Sequence, residues 1–305
     1  SRHYDGKYNT AYLGLLFNAF IASMVLVVTA NDALFFLVAW EVMSLSSYLL
    51  IVFEHQKQEN IRAGFFYFVM MHIGAAAIVG ALFTLAHFFG STSFDVWRDG
   101  QATVPLMVAN FAFVLALIGF GTKAGMMPLH TWLPEAHPAA PAHVSALMSG
   151  VMIKTALLLL IRFIFEFLPT PALWWGPVIM LIGAVSAVLG ILHASGQTDL
   201  KRLLAFSSIE NIGLMTMTLG AGVLFLSFHV PALVAVAFVA LFFHIVNHAM
   251  FKGLLFLTAG TVVAGAGTAN MEKLGGLVRF LPRTTVFFFI AALAVSAFPP
   301  TNGFA

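Results

Sequence analysis

Long apolar runs and short polar breaks alternate along the whole chain. Crossing a bilayer takes about 20 residues at 1.5 Å of rise each. Runs of that length fall at 10–30, 33–53, 64–89, 104–127, 142–167, 174–194, 203–225, 231–263 and 284–305. Between them lie EHQKQENIR at 54–62, STSFDVWRDGQ at 91–101, GQTDLKR at 196–202 and a longer stretch from Gly265 to Arg283. None of these breaks has room for a soluble domain, so the pattern predicts an all-α polytopic protein embedded in a lipid bilayer.

Two stretches depart from continuous helix. TKAGMMPLHTWLPEAHPAAPAHV carries Pro128, Pro134, Pro138 and Pro141, each lacking the amide donor a helix needs. FPPTNGF at 298–304 interrupts the last apolar run in the same way. Discontinuous helices near 123–141 and 298–304, at corresponding places in two halves, are the sequence mark of an inverted-repeat transporter with unwound backbone at mid-membrane. The halves are 1–167, five helices with the fourth broken, and 174–305, which stops at its own broken fourth helix.

Composition agrees: 61% of residues are hydrophobic and 9% charged, with a mean hydropathy of +0.97, against roughly 25% charge in a soluble domain. The chain has no cysteine, which excludes disulfides and thiolate-held iron–sulfur clusters within it, so any redox chemistry belongs to a partner. A net charge of +2 argues against nucleic acid as a ligand. No basic-then-apolar leader precedes a small-residue cleavage site, and the first residue is read as lying inside a longer protein. Arg2, Lys7, Lys57, Arg62, Lys201, Arg202, Lys273, Arg279 and Arg283 fall on one side of the expected spans and Arg98 on the other. By the positive-inside rule the N-terminal end faces the cytoplasm.

Against this background Lys123, Lys154, His244, His248, Lys252 and Glu41 stand out, because each falls inside an apolar run. A charge at bilayer depth costs ~2.5 to 3.5 kcal/mol on insertion scales and is kept where ions, protons or counter-charges need it. Lys154 lies eleven residues after His143, close to three helical turns, which puts both on one face. His244, His248 and Lys252 recur every four residues along another face, where histidines and intervening water can pass protons. Two histidines so spaced can also chelate zinc, but Lys252 would repel the cation and no third ligand is evident, so no metal is expected. Asn247 and Ser207 or Ser208 add polar contacts to this face.

Other positions carry two open readings. Glu210 either modulates the channel or pairs at the interface with Lys201 or Arg202. His72 is a buried hydrogen-bonder or a titrating group. His130 and Glu135, in the broken region, are an uptake site or solvated loop residues. Arg162 is read as snorkelling to the interface, and Gly74 with its alanine neighbours as a close helix contact.

WEVMSLSSYLLI, GFGTKAGMMPLHTWLPEAHPAAPAHVSALMSGVMIKTALLLL, DLKRLLAFSSIENIGLM, HIVNHAMFKGLLFLTAG and FPPTNGF, in that order, resemble the signatures of the antiporter-like proton-translocating subunits. That family is shared by respiratory complex I, group 4 membrane-bound hydrogenases and multisubunit sodium/proton antiporters. SSIENIG, PALWWG and PPTNGFA most resemble the branch of hydrogenase-4 component B and formate hydrogenlyase component 3. The resemblance implies a protein of roughly fourteen helices, of which a chain this long holds about nine at ~20 residues a span plus loops.

It also implies that Glu41 and Lys123 pair as a switchable proton store. Protons would then relay through Lys154, His143, His244, His248 and Lys252 toward a residue beyond Ala305. The expected protein is a non-catalytic, cofactor-free subunit of an oxidoreductase complex in a bacterial or archaeal cytoplasmic membrane. Its partners would be other membrane subunits and peripheral iron–sulfur and nickel–iron subunits. The alternatives are a secondary Na⁺/H⁺ antiporter subunit without redox coupling, and a structural membrane anchor.

Overall fold

The computed structural model describes residues 8–304. Arg2 and Lys7, used in the orientation argument, and Ala305 lie outside them. The helices are α1 (Thr10–Thr29), α2 (Ala33–Ile51), α3 (Gln58–Phe89), α4 (Phe94–Gly100), α5 (Leu106–Ala124), α6 (Leu133–Ala139), α7 (Ala142–Phe167), α8 (Trp175–Ser195), α9 (Leu200–Ser227), α10 (Pro231–Ala266), α11 (Leu277–Phe280) and α12 (Pro282–Val295). Eight of them, α1, α2, α3, α5, α7, α8, α9 and α10, are long and apolar enough to cross a membrane.

The ninth expected run, 284–305, is broken near 298–304, as FPPTNGF predicts. Its helix α12 has 14 residues and gives way to turns from Ser296, where Ala297 adopts φ 53° and Pro299 and Pro300 offer no amide donors. The chain then doubles back until Gly303 lies on the end of α12, so close that a Cβ there would fall 1.8 Å from the Ala294 carbonyl oxygen. Asn302 is tied to α10 by a reciprocal pair with Asn247, at 2.8 and 3.2 Å.

Connections gather at two ends. At the basic end, Leu200 and Ala269 (3.0 Å) and Met271 and Thr198 (2.8 Å) exchange backbone hydrogen bonds. At the other end Glu166 accepts from Arg98 (3.1 Å) and Arg162 (3.0 Å), and Arg162 also donates to the Val28 carbonyl at 2.9 Å. Arg162 therefore does not snorkel freely; it is held by a carboxylate one turn along its own helix.

The helices meet closely where glycines face each other. Gly176, Gly183 and Gly190 on α8 recur every seven residues, two helical turns, as do Gly213 and Gly220 on α9. A Cβ on Gly183 would lie 2.5 Å from the Met217 nitrogen, and one on Gly213 2.3 Å from the Ala187 nitrogen. Gly74 makes the expected close contact of α3 with α5, where a Cβ on Gly119 would stand 2.8 Å from its carbonyl oxygen. Large apolar side chains such as Leu15, Phe65, Val236 and Met250 point outward, while Lys123, Lys154, Lys252, His137 and His248 are buried. That inversion of the soluble pattern suits a protein whose solvent is lipid.

Candidate functional site

Lys123 occupies the last turn of α5. Gly125, with φ 79°, caps that helix in the left-handed conformation and releases the chain into the broken segment. Trp132 holds that segment against the helix end by donating from its indole nitrogen to the Thr122 carbonyl at 2.8 Å. The lysine is 1% exposed. Its ammonium donates to Ser44 Oγ at 3.0 Å and Tyr67 Oη at 3.2 Å, and sits 5.5 Å from the Trp40 ring centre and 5.6 Å from that of Tyr67. Tyr67 in turn shares a hydrogen bond of 2.5 Å with Ser47. Two hydroxyls and two aromatic faces thus surround one charge.

The expected direct pairing of Glu41 with Lys123 is not present. Side chains of Trp40, Ser44 and Ser47 turn inward on α2. Glu41, a turn before Ser44, is 46% exposed and lies 3.8 Å from His72 Nε2. It shares α2 with Ser44, whose hydroxyl Lys123 touches. His72, for which a buried position was one reading, is itself 48% exposed, with Nδ1 2.9 Å from the Phe68 carbonyl oxygen.

A second group of buried cations is strung across three helices. Lys154 of α7 donates to the Ser149 carbonyl, and Ser149 Oγ meets Ser208 Oγ of α9 at 2.8 Å. Ser208 donates to the Leu204 carbonyl at 2.9 Å, and Lys252 of α10 donates to the same oxygen at 3.2 Å. The Ser149–Ser208 contact lies between the helices that carry Lys154 and Lys252, which the resemblance joins in one relay. Among the described residues none of the three buried lysines has a carboxylate within 4.0 Å, so side-chain hydroxyls and backbone dipoles hold whatever charge they carry.

The histidine face continues this track. His248 is fully buried, neither ring nitrogen has a hydrogen-bond partner among the described residues, and its ring centre is 6.2 Å from that of His244. His244 Nε2 lies 3.1 Å from Asn211 Oδ1. Asn211, Ser207 and Glu210 line, with His244, a cavity of about 480 Å³ that extends to Gly303. Glu210 accepts from Ser207 at 3.2 Å and makes no ion pair with Lys201 or Arg202. Arg202 instead pairs with Glu135 at 3.0 Å, and Lys201 donates to the Ala140 carbonyl at 2.9 Å. Among the described residues no three His, Asp or Glu side chains converge as metal ligands would.

The helix between His143 and Lys154 is not regular. Met148–Met152 is a π-helical turn, and the extra residue it contains rotates everything beyond it by about 100° relative to a regular helix. His143 packs its ring on Phe17 of α1, 5.1 Å between centres, while Lys154 reaches back to the Ser149 carbonyl and lines a cavity with Met24 of α1 and Ile245 of α10. His130, on the loop after Pro128, is half-buried, and burial pushes its imidazole below the ordinary histidine range. Sequence reasoning passed over His137, which is fully buried in α6; its prolines drew notice and its imidazole did not.

This arrangement has counterparts among known proteins. The chain is 45% identical to hydrogenase-4 component B of Escherichia coli (strain K12), over 99% of this chain and 45% of that protein. It is 34% identical to formate hydrogenlyase subunit 3 of the same organism, over 100% of this chain and 48% of that one. It therefore spans about half the length of these relatives. Its fold matches a chain of the membrane-bound sulfane sulfur reductase, an archaeal respiratory membrane complex, with a TM-score of 0.88 at 22% identity over 98% of this chain and 59% of that one. Residues 30–305 match the family described as NADH:quinone oxidoreductase/Mrp antiporter, TM, and the chain belongs to that family of antiporter-like membrane subunits.

Proposed function

We propose that the chain forms part of a proton-translocating membrane subunit of a redox-driven complex of the hydrogenase-4 or formate hydrogenlyase kind. One observation carries the reading. Lys154, Ser149, Ser208 and Lys252 form a hydrogen-bonded track through the bundle, interrupted only by backbone carbonyls, with His248 and His244 on the helix that carries Lys252 and, among the described residues, no carboxylate within 4.0 Å of either lysine. A static structural ion pair would need its counter-ion close by; a proton store needs a charge whose cost changes with its surroundings.

In this reading Lys123 is the store in the first repeat, 1–167, and Glu41 biases it from a turn away on α2. Lys154, at the end of the same repeat, hands protons to His244, His248 and Lys252 of the second, 174–305, with His72 and Glu210 as modulators. His143, His130 and Glu135 stand nearer the periphery. The excess of Lys and Arg at the end that holds Lys57, Lys201, Arg202 and Lys273 supports a cytoplasmic location for that end in a bacterial or archaeal cytoplasmic membrane. Partners are further membrane subunits and iron–sulfur or nickel–iron subunits that supply the redox energy.

A second reading, a subunit of a cation/proton antiporter without redox coupling, draws support from the family itself, which includes Mrp antiporters. The deciding experiment uses the complete assembly in sealed inverted vesicles. Lys123→Met is expected to insert and assemble yet abolish proton translocation, and full translocation by that variant would refute the proton-store reading. Sodium-dependent exchange without any electron donor would select the antiporter.

A further inference from the structure

Backbone that leaves the helix inside a membrane must find its partners in the protein, because lipid offers none. The break between α5 and α7 meets that need in part locally. Pro141 has no amide to offer the His137 carbonyl four residues back, and Ser145 Oγ donates to that carbonyl instead, at 2.9 Å. Two further partners come from the second repeat, one at each end of the break.

At the first end stands Ser186 of α8, which is fully buried. Its Oγ accepts from the Met127 amide at 2.9 Å and donates to the Ile182 carbonyl of its own helix at 2.7 Å, so the hydroxyl is used in both directions. Met127 lies four residues beyond Lys123 and just past the left-handed cap at Gly125. The residue before it, Met126, still donates to the Gly121 carbonyl of α5 at 2.9 Å. Fixing Met127 therefore fixes the end of the helix that carries the lysine. At the far end α6 stops at Ala139, and Ala140 is extended. There Lys201, in the first turn of α9, donates to the carbonyls of Pro138 at 3.3 Å and Ala140 at 2.9 Å. The two contacts belong to one unit, because α8 and α9 meet backbone to backbone at Gly183 and Gly213. The Lys123 ammonium itself turns the other way, to Ser44 of α2 and Tyr67 of α3.

We propose that Ser186 and Lys201 are positioning residues, contributed by the second repeat, that set where Lys123 stands in the first, an assignment that rests on the proton-translocation reading. The head of the lysine is placed by α2 and α3, and the end of its helix by α8 and α9. A shift of the α8–α9 pair against α2 and α3 therefore changes how the ammonium fits between its two hydroxyls. Ser208, which belongs to the Lys154–Lys252 track, rides on the same α9. The two repeats are thus joined through the backbone of the break, and neither Ser186 nor Lys201 needs to reach the lysine it positions.

The test again uses the full complex in sealed vesicles, with Lys123→Met as a control. Ser186→Ala leaves the Met127 amide without its acceptor, and Lys201→Met keeps the side-chain stem but removes its donors. Each is expected to slow translocation about tenfold per assembled complex, the effect of leaving a buried polar group unpaired. Ser186→Thr and Lys201→Arg, which keep the hydroxyl and the donors, are expected to restore most of the rate. Hydrogen exchange of peptides spanning 126–140 is expected to quicken in Ser186→Ala and Lys201→Met while that of α3 stays unchanged. A purely structural role would lower the yield of complex without changing the rate of each assembled one, and that result overturns the assignment. So does an equal loss of rate in the Thr and Arg variants. In both cases an inactive Lys123→Met leaves the wider reading intact, whereas normal translocation by Lys123→Met removes that reading and the assignment with it.

Discussion

Lys123 and Lys252 are both enclosed in the bundle, but different chemistry encloses them. Around Lys123 stand Ser44, Tyr67 and, behind it, Ser47, whose hydroxyls can accept from an ammonium or, by rotating, donate to a neutral amine. Around Lys252 and Lys154 stand the carbonyls of Leu204 and Ser149, which only accept and are fixed in helix backbone. The first site therefore accommodates either charge state through small rotations. The second offers fixed backbone acceptors only, and its capacity for transfer lies in the Ser149–Ser208 hydroxyl bridge and the histidines. One lysine is a store with a reversible lining, and the other two are ends of a wire.

The sharpest way to break the contrast is Lys123→Arg. A guanidinium stays protonated at any accessible pH, so translocation in vesicles is expected to fall to background although the positive charge is kept. Wild-type rates would show that the site needs charge but not proton release. Removing the bridge in the second site comes next. Ser149→Ala with Ser208→Ala is expected to slow proton transfer about tenfold, with the double variant little worse than either single one because each breaks the same contact. Strict additivity of the two would show that the hydroxyls act apart.

Tyr67→Phe removes one of the two hydroxyls that Lys123 touches, a loss of about 1 kcal/mol in hydrogen bonding, and a drop of a few fold in rate is expected because Ser44 remains. Glu41→Gln should have a comparable or smaller effect, with Glu41→Asp closer to wild type; equal rates for all three forms would make Glu41 a surface partner of His72 and nothing more. The smallest expected effect is that of a chelator. EDTA should leave both rate and assembly unchanged, whereas a metal lost from the purified protein together with activity would replace the relay at His244 and His248 by a metal site.

Much of this was legible in the sequence because the bilayer imposes strict terms. Apolar runs of sufficient length had to be helices, and four prolines between Lys123 and Val144 had to break one. Lysines within apolar runs had to be enclosed by protein, and Lys123, Lys154 and Lys252 are. What could not be read were relations set by helix rotation. The π turn at Met148–Met152 has no clear marker in MSGVM, yet it shifts Lys154 out of helical register with His143. The half-exposed position of Glu41 depends on which side of α2 meets α3. His137 was hidden by its prolines, which drew attention to the backbone and away from the ring. The seven-residue recurrence of Gly176, Gly183 and Gly190 was in plain view, but its meaning required the matching Gly213 and Gly220 on the neighbouring helix.

That glycine seam has a mechanical consequence. Where backbones touch with no side chains between them there is no soft layer to shear, and close-packed interfaces shift between discrete arrangements rather than creep. Helices α8 and α9 therefore behave as a single plank. The polar edge that α9 presents, from Leu204 through Ser208 to Asn211, is mounted on a stiff backing, and a change of charge at Lys252 cannot be absorbed by sliding α9 against α8. The displacement has to appear on the other side, in α10 and in the Asn302 turn hooked to it through Asn247. The seam thus decides which half of the proton track is anvil and which is hammer.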